Sequence, residues 1–133
     1  MDIYLYKYIK EVFNIKRIVV AGCRDYNNYD EAKEYIDICI EKIRDEDEII
    51  FVSGACRGAD KLGERYAEEN EFNIERYSAQ WSKYGKSAGV IRNREMAEVS
   101  DYIICFWDGK SKGTKLMIDI AKDMGKFISV KLI

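Results

Sequence analysis

Three short stretches of this chain each set glycine beside a cation and an acid: GCRDYNN from Gly22, GACRGAD from Gly54 and DGKSKGT from Asp108. Glycine has no Cβ and enters positive φ freely, so successive backbone N–H groups can close around an anion. A helix that starts just after such a turn adds unpaired N–H groups and the positive end of its dipole. Arg24, Arg57 and Lys112 add charge, and Asp25, Asp60 and Asp108 can accept from ribose hydroxyls or base amines, or cap the helices that follow. The chemistry these types and spacings suit is gripping a phosphate. Gly54 and Gly58, Gly85 and Gly89, and Gly109 and Gly113 stand four apart and account for six of the nine glycines. Familiar fingerprints do not fit: GACRGAD is one residue short of a Walker A loop and has Ala-Asp where Lys-Ser/Thr belongs, and GxGxxG and GxSxG are absent.

Other residues could join the same site. Arg92, Asn93, Arg94 and Glu95 arrive together at a helix start, where a solvated face with local ion pairs is the competing use. A guanidinium fork matches phosphate, and Arg92 is the preferred donor because Arg94 can as easily face water. Trp107 ends a strand at the binding edge and is a better stacking candidate than Trp81 or Tyr84; core or rim packing is the alternative for all three. Cys23 and Cys56 fall in two of the turns, with small-residue packing as their default role. No histidine is present and the four cysteines lack CxxC spacing, so neither a metal site nor a cofactor is expected.

Composition bounds the rest. At 133 residues the chain is the size of one domain, and 47% apolar residues suffice for a core. Charged residues make up 35% with a net charge of -2, which argues against a nucleic-acid or membrane partner held by bulk charge. No apolar run approaches the roughly 18 residues of a membrane span. With no signal-peptide pattern at the start, the expected location is the cytoplasm, where thiols stay reduced.

The elements that must position the turns alternate strand and helix. RIVVAG, EIIFVSG, NIERYSA, YIICFW and FISVKLI read as strands, the third more polar and so nearer an edge, the fourth continuously apolar and so central. Asn28 with Glu31 forms a capping box ahead of a helix carrying Ala32, Tyr35, Ile36, Cys39, Ile40 and Ile43 on one side. ADKLGERYAEEN is a helix stopped at Asn70; QWSKYGKSAG is a loop leading to a helix near IRNREMAEVS; TKLMIDIAKDMG is the last helix. The pattern predicts an α/β doubly wound, mostly parallel sheet of about five strands with helices on both faces. All strand-to-helix turns then meet at its carboxyl edge. Leu5, Tyr8, Ile9, Val12 and Phe13 share a helical face, so residues 1–15 read as a helical extension and 16–133 as the domain.

VVAGCRDYNNYD, VSGACRGADKLGERYA and KYGKSAGVIRNREMAEVSDYIICFWDGKSKGT, with the closing helix and strand, resemble the YspA-like, cpYpsA-related branch of the SLOG superfamily over about residues 16 to 133. The resemblance implies a Rossmann-like fold that binds nucleotides or their derivatives, usually as a homodimer. Relatives include the LOG phosphoribohydrolases, the DNA-binding DprA proteins, and domains that sense NAD-derived or ADP-ribose-like signals. It places phosphate-binding positions at Gly54, Gly58, Gly109, Gly113 and Thr114, and the helix-start arginine at Arg92 or Arg94. LOG enzymes carry a catalytic glutamate within about three residues of the Gly-Thr pair. Here GTKLMID follows, and the first acid, Asp119, lies more than a helical turn further from the ligand edge.

The expected ligand-binding set is Gly22, Arg24, Asp25, Ser53, Gly54, Arg57, Gly58, Asp60, Arg92, Asn93, Trp107, Asp108, Gly109, Lys112, Gly113 and Thr114. The first function it supports is binding, by sensing or sequestering, of a nucleotide-derived ligand such as an ADP-ribose or NAD derivative. A hydrolase of N-glycosidic or phosphate bonds is the second, with Asp25, Glu95 or Asp108 as the catalytic carboxylate. Single-stranded nucleic-acid binding through KSKGTK and the arginines is the third.

Overall fold

The structure is a computed structural model and describes residues 15–43 and 48–133. The amphipathic helix expected over Leu5 to Phe13 lies outside the described residues. Among them, β1 (Ile15–Gly22), β2 (Glu48–Ser53), β3 (Asn73–Arg76), β4 (Tyr102–Trp107) and β5 (Phe127–Leu132) form one sheet in the order β3-β2-β1-β4-β5. Every neighbouring pair is parallel. The connections are α1 (Tyr29–Ile43), α2 (Ala59–Glu69), the short α3 (Trp81–Tyr84) with a 3-10 turn (Gly85–Ser87), α4 (Ala88–Val99) and α5 (Lys112–Asp123). No helix among the described residues is long and apolar enough to cross a membrane.

The two-residue period of the strands divides the core. Ile18 and Val20 of β1, Phe51 of β2 and Ile104 and Phe106 of β4 pack on one face against Ala32, Ile36, Cys39 and Ile40 of α1 and Tyr66 and Ala67 of α2. Val19, Ala21, Val52, Ile103 and Cys105 point the other way, onto Met96 and Ala97 of α4 and Met117, Ile120 and Ala121 of α5. Each fully buried Ile or Phe contributes about 1.5–3 kcal/mol. Gly63 lets α2 lie directly on β1: a Cβ there would stand 2.5 Å from the Cβ of Val20.

The strand order locates the site. The chain steps from β1 outward to β3, then returns across the sheet to β4 and out to β5, so right-handed crossovers put α1 and α2 on one face and α4 and α5 on the other. At the reversal, between the carboxyl ends of β1 and β4, the adjoining turns part and leave a crevice. The stretch expected to be a loop before the fourth helix is instead largely helical. Lys83 and Tyr84 both donate their N–H to the carbonyl of Gln80 to close α3, and Gly85 takes φ +56° to start the next turn. No proline breaks the run, so α4 begins at Ala88 with its first residue already buried.

Candidate functional site

The β1–α1 turn is built first. Cys23 donates its N–H to the carbonyl of Phe106 (3.1 Å), which ties the end of β1 to β4. Tyr26 stacks on Phe106 with ring centroids 5.0 Å apart and donates its hydroxyl to Glu31 (2.7 Å). Asn28 caps α1 as expected, accepting the N–H of Glu31 at 3.2 Å, while the Glu31 carboxylate serves Tyr26. Arg24 and Asp25 are left at the exposed tip.

The β2–α2 turn is held from inside. The Ser53 hydroxyl donates to Glu64 (2.7 Å) and accepts the N–H of Ala55 (3.0 Å). Burial opposes ionisation of Glu64, but the bonds from Ser53 and Arg76 outweigh it and hold the carboxyl below its usual range. Ala55 takes φ +60°, a costly conformation for a residue with a side chain, and one that surrounding contacts must enforce. Asp60, on the first turn of α2, accepts the N–H of Cys56 at 3.2 Å and so closes the loop from its far end. Burial raises its pKa to about 6, against the pull of the Cys56 N–H and of Arg92.

The β4–α5 turn is held by Asp108. Its Oδ1 accepts the N–H of Ser111 (2.7 Å) and of Lys110 (2.8 Å), which lowers its pKa. The Trp107 indole N–H donates to the Ser111 carbonyl at 3.0 Å, so this ring fastens the turn. Lys115 closes the first α5 turn onto the same carbonyl at 3.1 Å. The N–H groups of Lys112, Gly113 and Thr114 have no acceptor among the described residues.

These turns and the start of α4 enclose a cleft of about 440 Å³ at the carboxyl edge. Of the residues expected from the sequence, Gly22, Arg24, Asp25, Arg57, Asp60, Arg92, Asn93, Asp108, Gly113 and Thr114 line it. Arg24 makes no hydrogen bond or ion pair with the described residues, whereas Arg57 leans on Asp25 at 3.5 Å in the open. Arg92 is buried and donates Nη1 to the Gly54 carbonyl (2.8 Å) and Nε to Asn93 (2.9 Å).

Ser53, Gly54, Gly58, Trp107, Gly109 and Lys112 stand behind or beside the cleft wall. Glu95 is exposed on α4, away from it, and Asp119 is paired with Lys115 at 2.8 Å on the outside of α5. Ala21, Cys23, Cys56, Met96, Ser111 and Met117 complete the lining without having been expected in it. Met96 and Met117 follow Arg92 and Thr114 by four and three residues, so helical spacing from those two residues would have found them.

A family model described as the YspA, cpYpsA-related SLOG family matches residues 16–84. The Gene 61 protein of Mycobacterium phage D29 is 31% identical over 117 residues, spanning 84% of this chain and 92% of the phage protein. No solved structure matches the chain.

Proposed function

The chain belongs to the YspA, cpYpsA-related SLOG family, and from that membership, which suggests binding or processing of a nucleotide-related ligand, we propose that the cleft binds a nucleotide derivative by its phosphate. One observation carries this reading. The first turn of α5 leaves the amides of Lys112, Gly113 and Thr114 without acceptors, and Gly113, Thr114 and Ser111 line the cleft. A helix N-terminus of that kind favours an anion by about 0.3–1 kcal/mol from its dipole alone, before any hydrogen bond. Arg24, in the same lining, has its guanidinium unspent and available for a bidentate contact. The ligand is an ADP-ribose or NAD derivative or a simpler mononucleotide.

Binding, as in a sensor or a sequestering protein, fits the carboxylates better than cleavage does. Asp25 has a side chain 95% exposed, Asp108 is occupied by its own turn, and Glu95 lies off the cleft. None is a buried carboxylate facing the cleft with its oxygens free for proton transfer.

Gly113→Val tests the proposal. A Cβ at this position meets nothing within 4 Å, so the variant folds with a stability within about 1 kcal/mol of the parent. Its side chain occupies the space through which a phosphate reaches the amides. Calorimetric titration with AMP, NAD and ADP-ribose should show at least one of them bound by the parent chain and about 10-fold or more weaker in the variant. Equal affinity in the two proteins contradicts the assignment.

A further inference from the structure

Two opposite charges lie at the floor of the cleft, each more than nine-tenths buried: Asp60 is 6% exposed and Arg92 8%. Each spends part of its hydrogen-bonding capacity on the protein. Asp60 gives Oδ2 to the N–H of Cys56, and Arg92 gives Nη1 to the carbonyl of Gly54 and the thiol of Cys56, and Nε to Asn93. Oδ1 of Asp60 and Nη2 of Arg92 have no partner among the described residues. Neither is sealed away, because no fully buried side-chain nitrogen or oxygen there lacks a partner. Both residues line the cleft, and both free atoms keep some exposure.

The two side chains also converge. Their already bonded ends, Asp60 Oδ2 and Arg92 Nη1, lie 2.8 and 2.9 Å from the point a Cβ of Gly54 would occupy, so only glycine lets the two side chains come this close. Yet they form no ion pair within 4.0 Å. Two neighbouring side chains, one an acceptor and one a donor, each with one unsatisfied atom, thus stand together in the lining of the cleft.

A phosphate would suit Arg92 and be repelled by the carboxylate of Asp60. A hydroxyl suits both, since one O–H group donates to a carboxylate while its lone pairs accept from a guanidinium. We propose that Asp60 and Arg92 form a sugar-hydroxyl subsite, and that the ligand is a ribonucleotide whose ribose hydroxyls it reads. This rests on the phosphate reading above: with the phosphate at the α5 amides, the sugar extends over the floor.

The experiment is calorimetric titration of the full chain at pH 7.5 with AMP, its 2′-deoxy and 3′-deoxy analogues, and inorganic phosphate. A hydrogen bond to a buried charge is worth roughly 10- to 100-fold in affinity, so AMP should exceed at least one deoxy analogue by that factor. In Asp60→Asn, where a neutral acceptor replaces the charge, the preference should shrink by about 10-fold. The wild-type comparison needs no variant. Deoxy analogues that both match AMP, or inorganic phosphate that binds where AMP does not, overturn the subsite and leave the phosphate reading intact. Absence of binding by AMP, NAD, ADP-ribose and phosphate alike removes the phosphate reading itself, and the subsite with it.

Discussion

Replacing Gly58 by alanine should destabilise the protein by about 3–5 kcal/mol, the sum of backbone strain and steric overlap. Gly58 takes φ +82° and ψ -132°, a combination closed to residues with a side chain. Its ideal Cβ would stand 2.3 Å from the Cys23 carbonyl oxygen and 2.5 Å from the Arg24 carbonyl, both backbone atoms that cannot swing aside. At the same point Ala59 donates its N–H to Cys23 at 3.2 Å, so the β1–α1 and β2–α2 turns are joined backbone to backbone. A methyl group therefore separates two walls of the cleft. Urea denaturation should show the loss, with a fall in Tm of roughly 10–20 °C for a domain of this size, and nucleotide binding should vanish with it. Gly113→Val, whose added Cβ meets nothing within 4 Å, is the control for stability alone. A cost below about 1 kcal/mol, within the range of an unremarkable surface change, would mean that the turns do not touch as described.

Asp60→Asn should do the reverse and stabilise the unliganded fold at neutral pH. Burial raises the Asp60 carboxyl from 3.8 to about 6, with Glu64 adding to the rise and the Cys56 N–H, Arg92 and Arg24 opposing it. Between those values the native state keeps a proton that the unfolded chain has released. Stability therefore falls as pH rises from about 4 to about 6, and above that the whole penalty of about 2–3 kcal/mol is present. Asparagine keeps an acceptor for Cys56 and has no charge to desolvate. The variant should match the wild type at pH 4 and exceed it by about 2–3 kcal/mol at pH 7.5 in urea denaturation, while losing ligand discrimination. A variant that is less stable at pH 7.5 would show that the ionised carboxylate is a net structural asset. Such a burden on the fold, at a residue that lines the cleft, is what the proposed sugar-hydroxyl subsite would account for.

Much of this architecture was legible in the sequence because it rests on local pattern. VVAG and IICF are continuous apolar runs, which suits strands covered on both faces, and β1 and β4 are the two that lie inside the sheet with β2. NIER is more polar and sits at an edge. The glycine-rich turns were visible because a tight turn ahead of a helix demands particular residues. What could not be read was which side chain reaches across. Arg92 touches Gly54 from 38 residues away, and whether Arg92 or Arg94 did so depended on the helix phase. Met96, one turn on and buried in the core, fixes that phase. Trp107 could stack on a base or tie its own turn, and its residue type permits both; its indole N–H is used on Ser111. Asp60 was visible as an acid at a helix start, but its depth arises from the missing side chain of Gly54 and the cover of α4.

Backbone amide chemical shifts recorded while the protein is titrated with ADP-ribose, or with AMP if that binds more tightly, test the central claim most directly. The account predicts the largest changes at Ser111, Gly113 and Thr114, with smaller ones at Arg24 and Cys56, all at the carboxyl edge of the sheet. Changes centred instead on the opposite edge, around Asp101 and Phe127, or no change at any nucleotide concentration, would contradict it.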